Sequence, residues 1–173
     1  MRRLTTLAAL WIGATATVAA QAAPADLPCL TEQEGQSLVV LVLPDVLDAV
    51  GKTCATALPP AATLRGGLPA LVARYRGNGD AAWIAAKPAI GKLGGEQFKD
   101  MNPDVLRPLL TTIMGPLIAK DIKPRDCPRI DRITGLLAPL PVANTAALVV
   151  ELFQLGTDRT KTRAPFSICP THE

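Results

Sequence analysis

Proline and glycine punctuation constrains this chain more than any other feature. Sixteen prolines and thirteen glycines fall across 173 residues. They divide the apolar stretches into short pieces with helical rather than alternating spacing. Thr31 with Glu34 three residues later forms a capping-box signature, and Glu32 and Glu34 suit a first helical turn. The apolar run Leu38–Leu43 follows. Its β-branched Val39, Val40 and Val42 would also suit a buried strand, but the upstream cap favours a helix. Leu43-Pro44-Asp45 predicts a break, with a second helix from Pro44 to about Ala57.

Leu58-Pro59-Pro60 reads as a linker. Pro69 starts a short helix ending near Arg76, and Gly77-Asn78-Gly79 is a turn. Asp80 caps a helix through Ala86, after which Pro88, Gly91, Gly94 and Gly95 predict irregular chain. Asn102-Pro103-Asp104 is a helix start, with the helix running to Lys120 and kinked at Pro108 and Pro116. Cys127-Pro128 begins another. Its spacing puts Ile130, Ile133, Leu136 and Leu137 inside and Arg129, Asp131 and Arg132 outside. Asn144 caps the most hydrophobic helix, expected to run to Leu155 with Gly156 as its stop and to form the central packing element. The tail from 157 to 173 reads as irregular. The expected fold is all-α, an irregular bundle of six to seven short helices with a loop-like C-terminal tail.

The first residues look like a targeting segment. Met1, Arg2 and Arg3 form a positive end, Leu4–Ala20 is apolar, and Ala20-Gln21-Ala22 is a small-x-small cleavage site. A cleaved signal peptide over 1–22 is expected, leaving 23–173 as a single helical domain in the periplasm or outside the cell. Losing Arg2 and Arg3 takes Lys+Arg from 18 to 16 against 15 Asp+Glu, so the net charge falls from +3 to +1. Such a balance gives no support for nucleic-acid or anionic-membrane binding. The longest remaining apolar run, Leu38–Leu43, is too short to span a bilayer.

All four cysteines, Cys29, Cys54, Cys127 and Cys169, follow the leader. An even count in an exported chain predicts two disulfides, and no close pair suggests a metal site. Four cysteines allow three connectivities. A helical hairpin folded at Pro44 favours Cys29–Cys54 together with Cys127–Cys169. One continuous helix would instead hold Cys29 and Cys54 about 36 Å apart, far beyond disulfide reach.

Chemistry-bearing motifs are scarce. Val50-Gly51-Lys52-Thr53 resembles the end of a phosphate-binding loop, but Val46 stands where that loop needs glycine. The single histidine, His172, is next to the last residue, and neither Ser37 nor Ser167 lies in a nucleophile pattern. Glu96, Asp100 and Asp104 are spaced by four, with Asn102-Pro103 breaking the helix that would align them. Asp121, Asp126 and Asp131 interleave with Lys123, Arg125 and Arg129 and read as a salt-bridged surface. Glu151 interrupts an apolar helix, yet it shares a stripe with Asn144, Ala147, Gln154 and Asp158 that reads as exposed. Tyr75, Trp83, Phe98, Phe153 and Phe166 are too few for a sugar groove.

No catalytic residue, cofactor or metal is assigned. The favoured expectation is a non-catalytic exported module with an apolar groove between helices, taking an apolar small ligand or another exported protein. The alternative is a small secreted carboxylate-dependent hydrolase acting through Asp126 or Asp131.

Overall fold

The computed structural model describes residues 28–95, 101–160 and 166–170. The proposed leader, Glu96, Asp100 and His172 lie outside the described residues. Among the described residues the chain forms six α-helices: α1 Glu32–Cys54, α2 Leu68–Arg76, α3 Gly79–Gly94, α4 Pro103–Ala119, α5 Cys127–Leu137 and α6 Val142–Thr160. A π-helical turn, Thr63–Gly67, precedes α2, and a 3-10 turn, Pro124–Asp126, precedes α5. The fold is an all-α irregular bundle. The sheet among the described residues is a pair of two-residue strands, β1 Cys29–Leu30 and β2 Ser167–Ile168, which run parallel with Cys29 opposite Ser167.

The expected hairpin at Pro44 does not form. Helix α1 runs 23 residues through Pro44 without a break, a length of about 35 Å. The start is as expected: Thr31 Oγ1 accepts from the Glu34 N–H at 3.2 Å, and Glu34 Oε2 accepts from the Thr31 N–H at 2.7 Å. Proline inside a helix costs about 3 kcal/mol. Pro44 is buried, so packing around α1 offsets that cost. Helices α2, α3, α4 and α6 all pack on α1, making it the central element in place of α6. Leu148, Leu152 and Leu155 of α6 are exposed instead.

Two apolar clusters lie along α1. Val40 and Leu41 meet Ala82, Trp83, Ala86, Ile90, Leu106 and Ala146. Val50 and Cys54 meet Leu58, Ala62, Leu64, Ala119 and Cys127. Local boundaries shift as well. Helix α3 continues past Ala86 to Gly94 with Pro88 inside it. Helix α6 starts at Val142, passes Gly156 and ends at Thr160. Helix α4 keeps its expected start, with Asn102 Oδ1 accepting from the Asp104 N–H at 2.9 Å, and contains Pro108 and Pro116.

The disulfides correct the expected connectivity. Cys29 pairs with Cys169 and Cys54 with Cys127, with Cα separations of 5.0 and 5.5 Å. The continuous α1 explains why: it carries Cys54 to the end of the bundle opposite Cys29. The C-terminal tail is tied to the start of α1, not to the start of α5. Helix α5 is also rotated from its expected setting. Cys127 and Thr134 are buried, Ile130 and Asp131 half-buried, and Ile133 and Leu136 exposed. Positions 127, 130, 131 and 134 form one helical face, which the Cys54–Cys127 bond turns inward. Two disulfides point to an oxidising environment.

Candidate functional site

The site is a groove laid over the first half of α1. Gly35, Leu38, Val39 and Val42 are spaced i, i+3, i+4 and i+7, so they share one face of α1 and form the floor. Helix α4 contributes Leu110 and Met114 one turn apart, and α3 contributes Ile90 and Leu93. Val149, Val150 and Phe153 come from α6. Helices α4 and α6 each pack on α1 more extensively than on each other, which leaves the space between them. The remaining wall comes from the C-terminal segment, through Phe166 and Ile168. The groove is open on one side and holds about 250 Å³.

Small residues set this geometry. A β-carbon on Gly35 would stand 3.2 Å from Ile168 Cδ1 and 3.4 Å from Val150 Cγ2. Glycine there lets both the tail and α6 approach α1 closely. The Phe153 and Phe166 rings stack with centroids 4.8 Å apart. The lining side chains are all hydrocarbon or methionine, so nothing in the groove pairs with a polar group. Beyond the groove, α4 exposes Val105, Leu109, Ile113 and Leu117, and no charged residue lies between Arg107 and Lys120.

Among the described chemical candidates, Asp104, Asp126 and Asp131 are each engaged locally. Asp131 Oδ1 accepts from the Leu64 N–H at 2.7 Å, so this carboxylate caps the π-helical turn instead of facing solvent. Asp126 Oδ2 accepts from the Lys123 N–H at 3.3 Å, and Asp121 is exposed. None of Asp121, Asp126 and Asp131 lines the groove. Asp104 accepts from the Trp83 indole at 3.0 Å and pairs with Lys87 at 3.3 Å. The Trp83 hydrogen bond, followed by the Lys87 ammonium, holds its carboxyl below the usual 3.8. Glu151 is exposed.

Gly51, in the phosphate-loop resemblance, lies inside α1. A β-carbon there would overlap the Leu68 side chain and come 3.1 Å from the Leu64 carbonyl oxygen. Close packing therefore accounts for this glycine. The Ser37 hydroxyl donates to the Gln33 carbonyl at 2.8 Å, and Ser167 lies in β2. Among the described residues, no group of three or more His, Cys, Asp or Glu is placed to hold a metal ion. No helix among them is long and apolar enough to cross a membrane.

A second open depression of about 510 Å³ is lined by Asp48, Arg65 and Arg76 with Leu68 and Val72. Its charges are engaged: Arg76 pairs with Asp48 at 2.6 Å and Asp45 at 3.5 Å, and Arg65 donates to the Leu58 carbonyl at 2.7 Å. Sequence reading missed the part of Phe166 and Ile168 in the apolar groove. The available signal was the alternation Phe166-Ser167-Ile168 immediately before Cys169, which suits a half-buried strand. Comparison with protein-family models, with curated proteins and with solved structures found no match to this chain.

Proposed function

We propose that this protein is an exported, non-catalytic binding module that takes the hydrocarbon part of a small ligand into the groove between α4 and α6. The observation that carries this reading is a half-open groove of about 250 Å³ with an entirely apolar lining. Burying a polar ligand group there without a partner costs about 2–7 kcal/mol. Each buried methylene contributes about 0.8 kcal/mol. The groove therefore selects a hydrocarbon chain or ring and leaves any polar head at the mouth. Arg2-Arg3, the apolar stretch to Ala20 and the Ala20-Gln21-Ala22 site support export with cleavage after residue 22. The disulfides support a periplasmic or extracellular destination.

Titration with the apolar fluorophore N-phenyl-1-naphthylamine tests this reading. Val42→Phe and Val149→Phe fill the groove and should each weaken binding at least tenfold while leaving the circular dichroism unchanged. The double variant Leu109→Gln, Ile113→Gln alters the exposed face of α4 and should bind like the wild type. If that outer variant loses the signal and the filled variants keep it, the groove is not the binding site.

A further inference from the structure

The two disulfides differ in a way that bears on the groove. Cys54 and Cys127 are both fully buried. Cys29 is exposed and Cys169 half-exposed. Thiol–disulfide exchange requires the attacking thiolate to reach a sulfur atom, so a reductant meets Cys29–Cys169 first. That bond is also what fastens the groove's outer wall. The segment carrying Phe166 and Ile168 pairs with β1, and main-chain hydrogen bonds run from Ser167 N–H to the Pro28 carbonyl at 3.2 Å and from Cys169 N–H to the Leu30 carbonyl at 2.8 Å. Its side chains add the Phe153–Phe166 stack and the seat of Ile168 against Gly35. An isolated pair of two-residue strands is not stable by itself.

We propose that Cys29–Cys169 is a redox-sensitive latch on the groove: its reduction, with Cys54–Cys127 intact, frees the Phe166–Cys169 segment and releases the bound hydrocarbon. The inference rests on the groove-binding reading above. The reductant is a dithiol, of the kind carried by thiol–disulfide oxidoreductases. Its thiolate attacks the sulfur of Cys29, an exposed residue, and Cys169 leaves as a thiolate and takes up a proton. The second thiol of the reductant then attacks the mixed disulfide and frees Cys29, which is protonated in turn. Two electrons and two protons pass to this chain, and the dithiol becomes a disulfide. Without the covalent tie, Phe166 and Ile168 swing away from Phe153 and Gly35. The groove then loses one wall, and the ligand loses the contacts that kept water out.

The experiment uses the full oxidised protein, dithiothreitol in graded amounts, iodoacetamide labelling of withdrawn aliquots read by mass spectrometry, and N-phenyl-1-naphthylamine fluorescence on the unlabelled remainder. The expected result is a range of dithiothreitol in which Cys29 and Cys169 are labelled and Cys54 and Cys127 are not. Within it the fluorophore should bind at least tenfold more weakly and dissociate faster, and reoxidation should restore the original affinity. The double variant Cys29→Ser, Cys169→Ser should show the weak affinity at every dithiothreitol concentration that leaves Cys54–Cys127 intact. Should that variant fail to fold, the partly reduced wild type still decides the matter. Simultaneous labelling of all four cysteines, or unchanged affinity in the partly reduced protein, overturns the latch. Failure of the oxidised wild type to bind the fluorophore overturns the groove-binding reading itself.

Discussion

Gly115 of α4 lies against the main chain of Asp45 in α1: a β-carbon at Gly115 would stand 2.5 Å from the Asp45 carbonyl oxygen and 3.2 Å from Ala49 Cβ. Glycine in a helix interior costs about 1 kcal/mol relative to alanine. The position is glycine because backbone meets backbone there, one residue beyond Pro44. Alanine at 115 should force the helices apart and lose about 1–2 kcal/mol net, the overpacking penalty exceeding the gain in helix propensity. Gly91 of α3 has nothing within 4 Å of its would-be β-carbon. Gly91→Ala should therefore raise stability by about 0.5–1 kcal/mol. Urea unfolding of the two variants checks the opposite signs.

Asp131 is expected to matter for folding. Its carboxylate takes the Leu64 N–H at 2.7 Å, beside a Leu64 side chain that is almost wholly buried. Asp131→Ala should cost about 1–2 kcal/mol, in the range of a lost helix cap. Asp121→Ala, at an exposed position, should be close to neutral. Equal effects of the two in thermal denaturation would argue against the capping role.

Acid should weaken the junction between α1 and α3. Burial pushes the Glu34 carboxyl up, but the Lys92 ammonium at 2.7 Å and the Thr31 main chain and hydroxyl outweigh it and hold it below its usual 4.5. A carboxyl lowered in the folded state stabilises fully above its unfolded value. That contribution disappears as the pH falls through the folded value. Stability should therefore drop as the pH falls below 4.5. Glu34→Gln should flatten this part of the curve, and Lys92→Met should reduce its amplitude by about 1 kcal/mol or less, the scale of a surface pair. Denaturant midpoints between pH 6 and pH 3 measure both.

The disulfide pairing predicts a specific peptide map. Under non-reducing digestion, the peptide holding Cys29 should be joined to the one holding Cys169, and Cys54 to Cys127. The Cys54–Cys127 bond spans 73 residues, and closing a loop of that size is worth about 4 kcal/mol in the chain-entropy picture. Cys54→Ala with Cys127→Ala should lower the unfolding free energy by about that amount. A Cys29–Cys54 cross-linked peptide would contradict the continuous α1.

Much of the local architecture was legible in the residues alone. The Thr31–Glu34 capping box, the Asn102-Pro103-Asp104 helix start and the Cys127-Pro128 start are decided by a few adjacent residues, and each forms where expected. The all-α class and the presence of two disulfides also follow from short-range pattern and cysteine count. The location of the apolar groove over the first half of α1 was not legible in the residues alone.

Pro44 and Pro88 mark the limit of local reading. Proline removes one hydrogen bond and crowds the preceding turn, which in isolation ends a helix. Both nevertheless lie inside helices, because burial along α1 and α3 outweighs a penalty of about 3 kcal/mol. Once α1 is continuous, Cys29 and Cys54 are a helix length apart, and the pairing changes with it. The groove depends on the same long-range fact. Its floor is a helical stripe written in Gly35, Leu38, Val39 and Val42, but its outer wall comes from Phe166 and Ile168, more than a hundred residues away. Neighbouring side chains determined where α1, α4 and α5 begin; only tertiary packing, which sums burial over the whole chain, decided where helices continue and which ends meet.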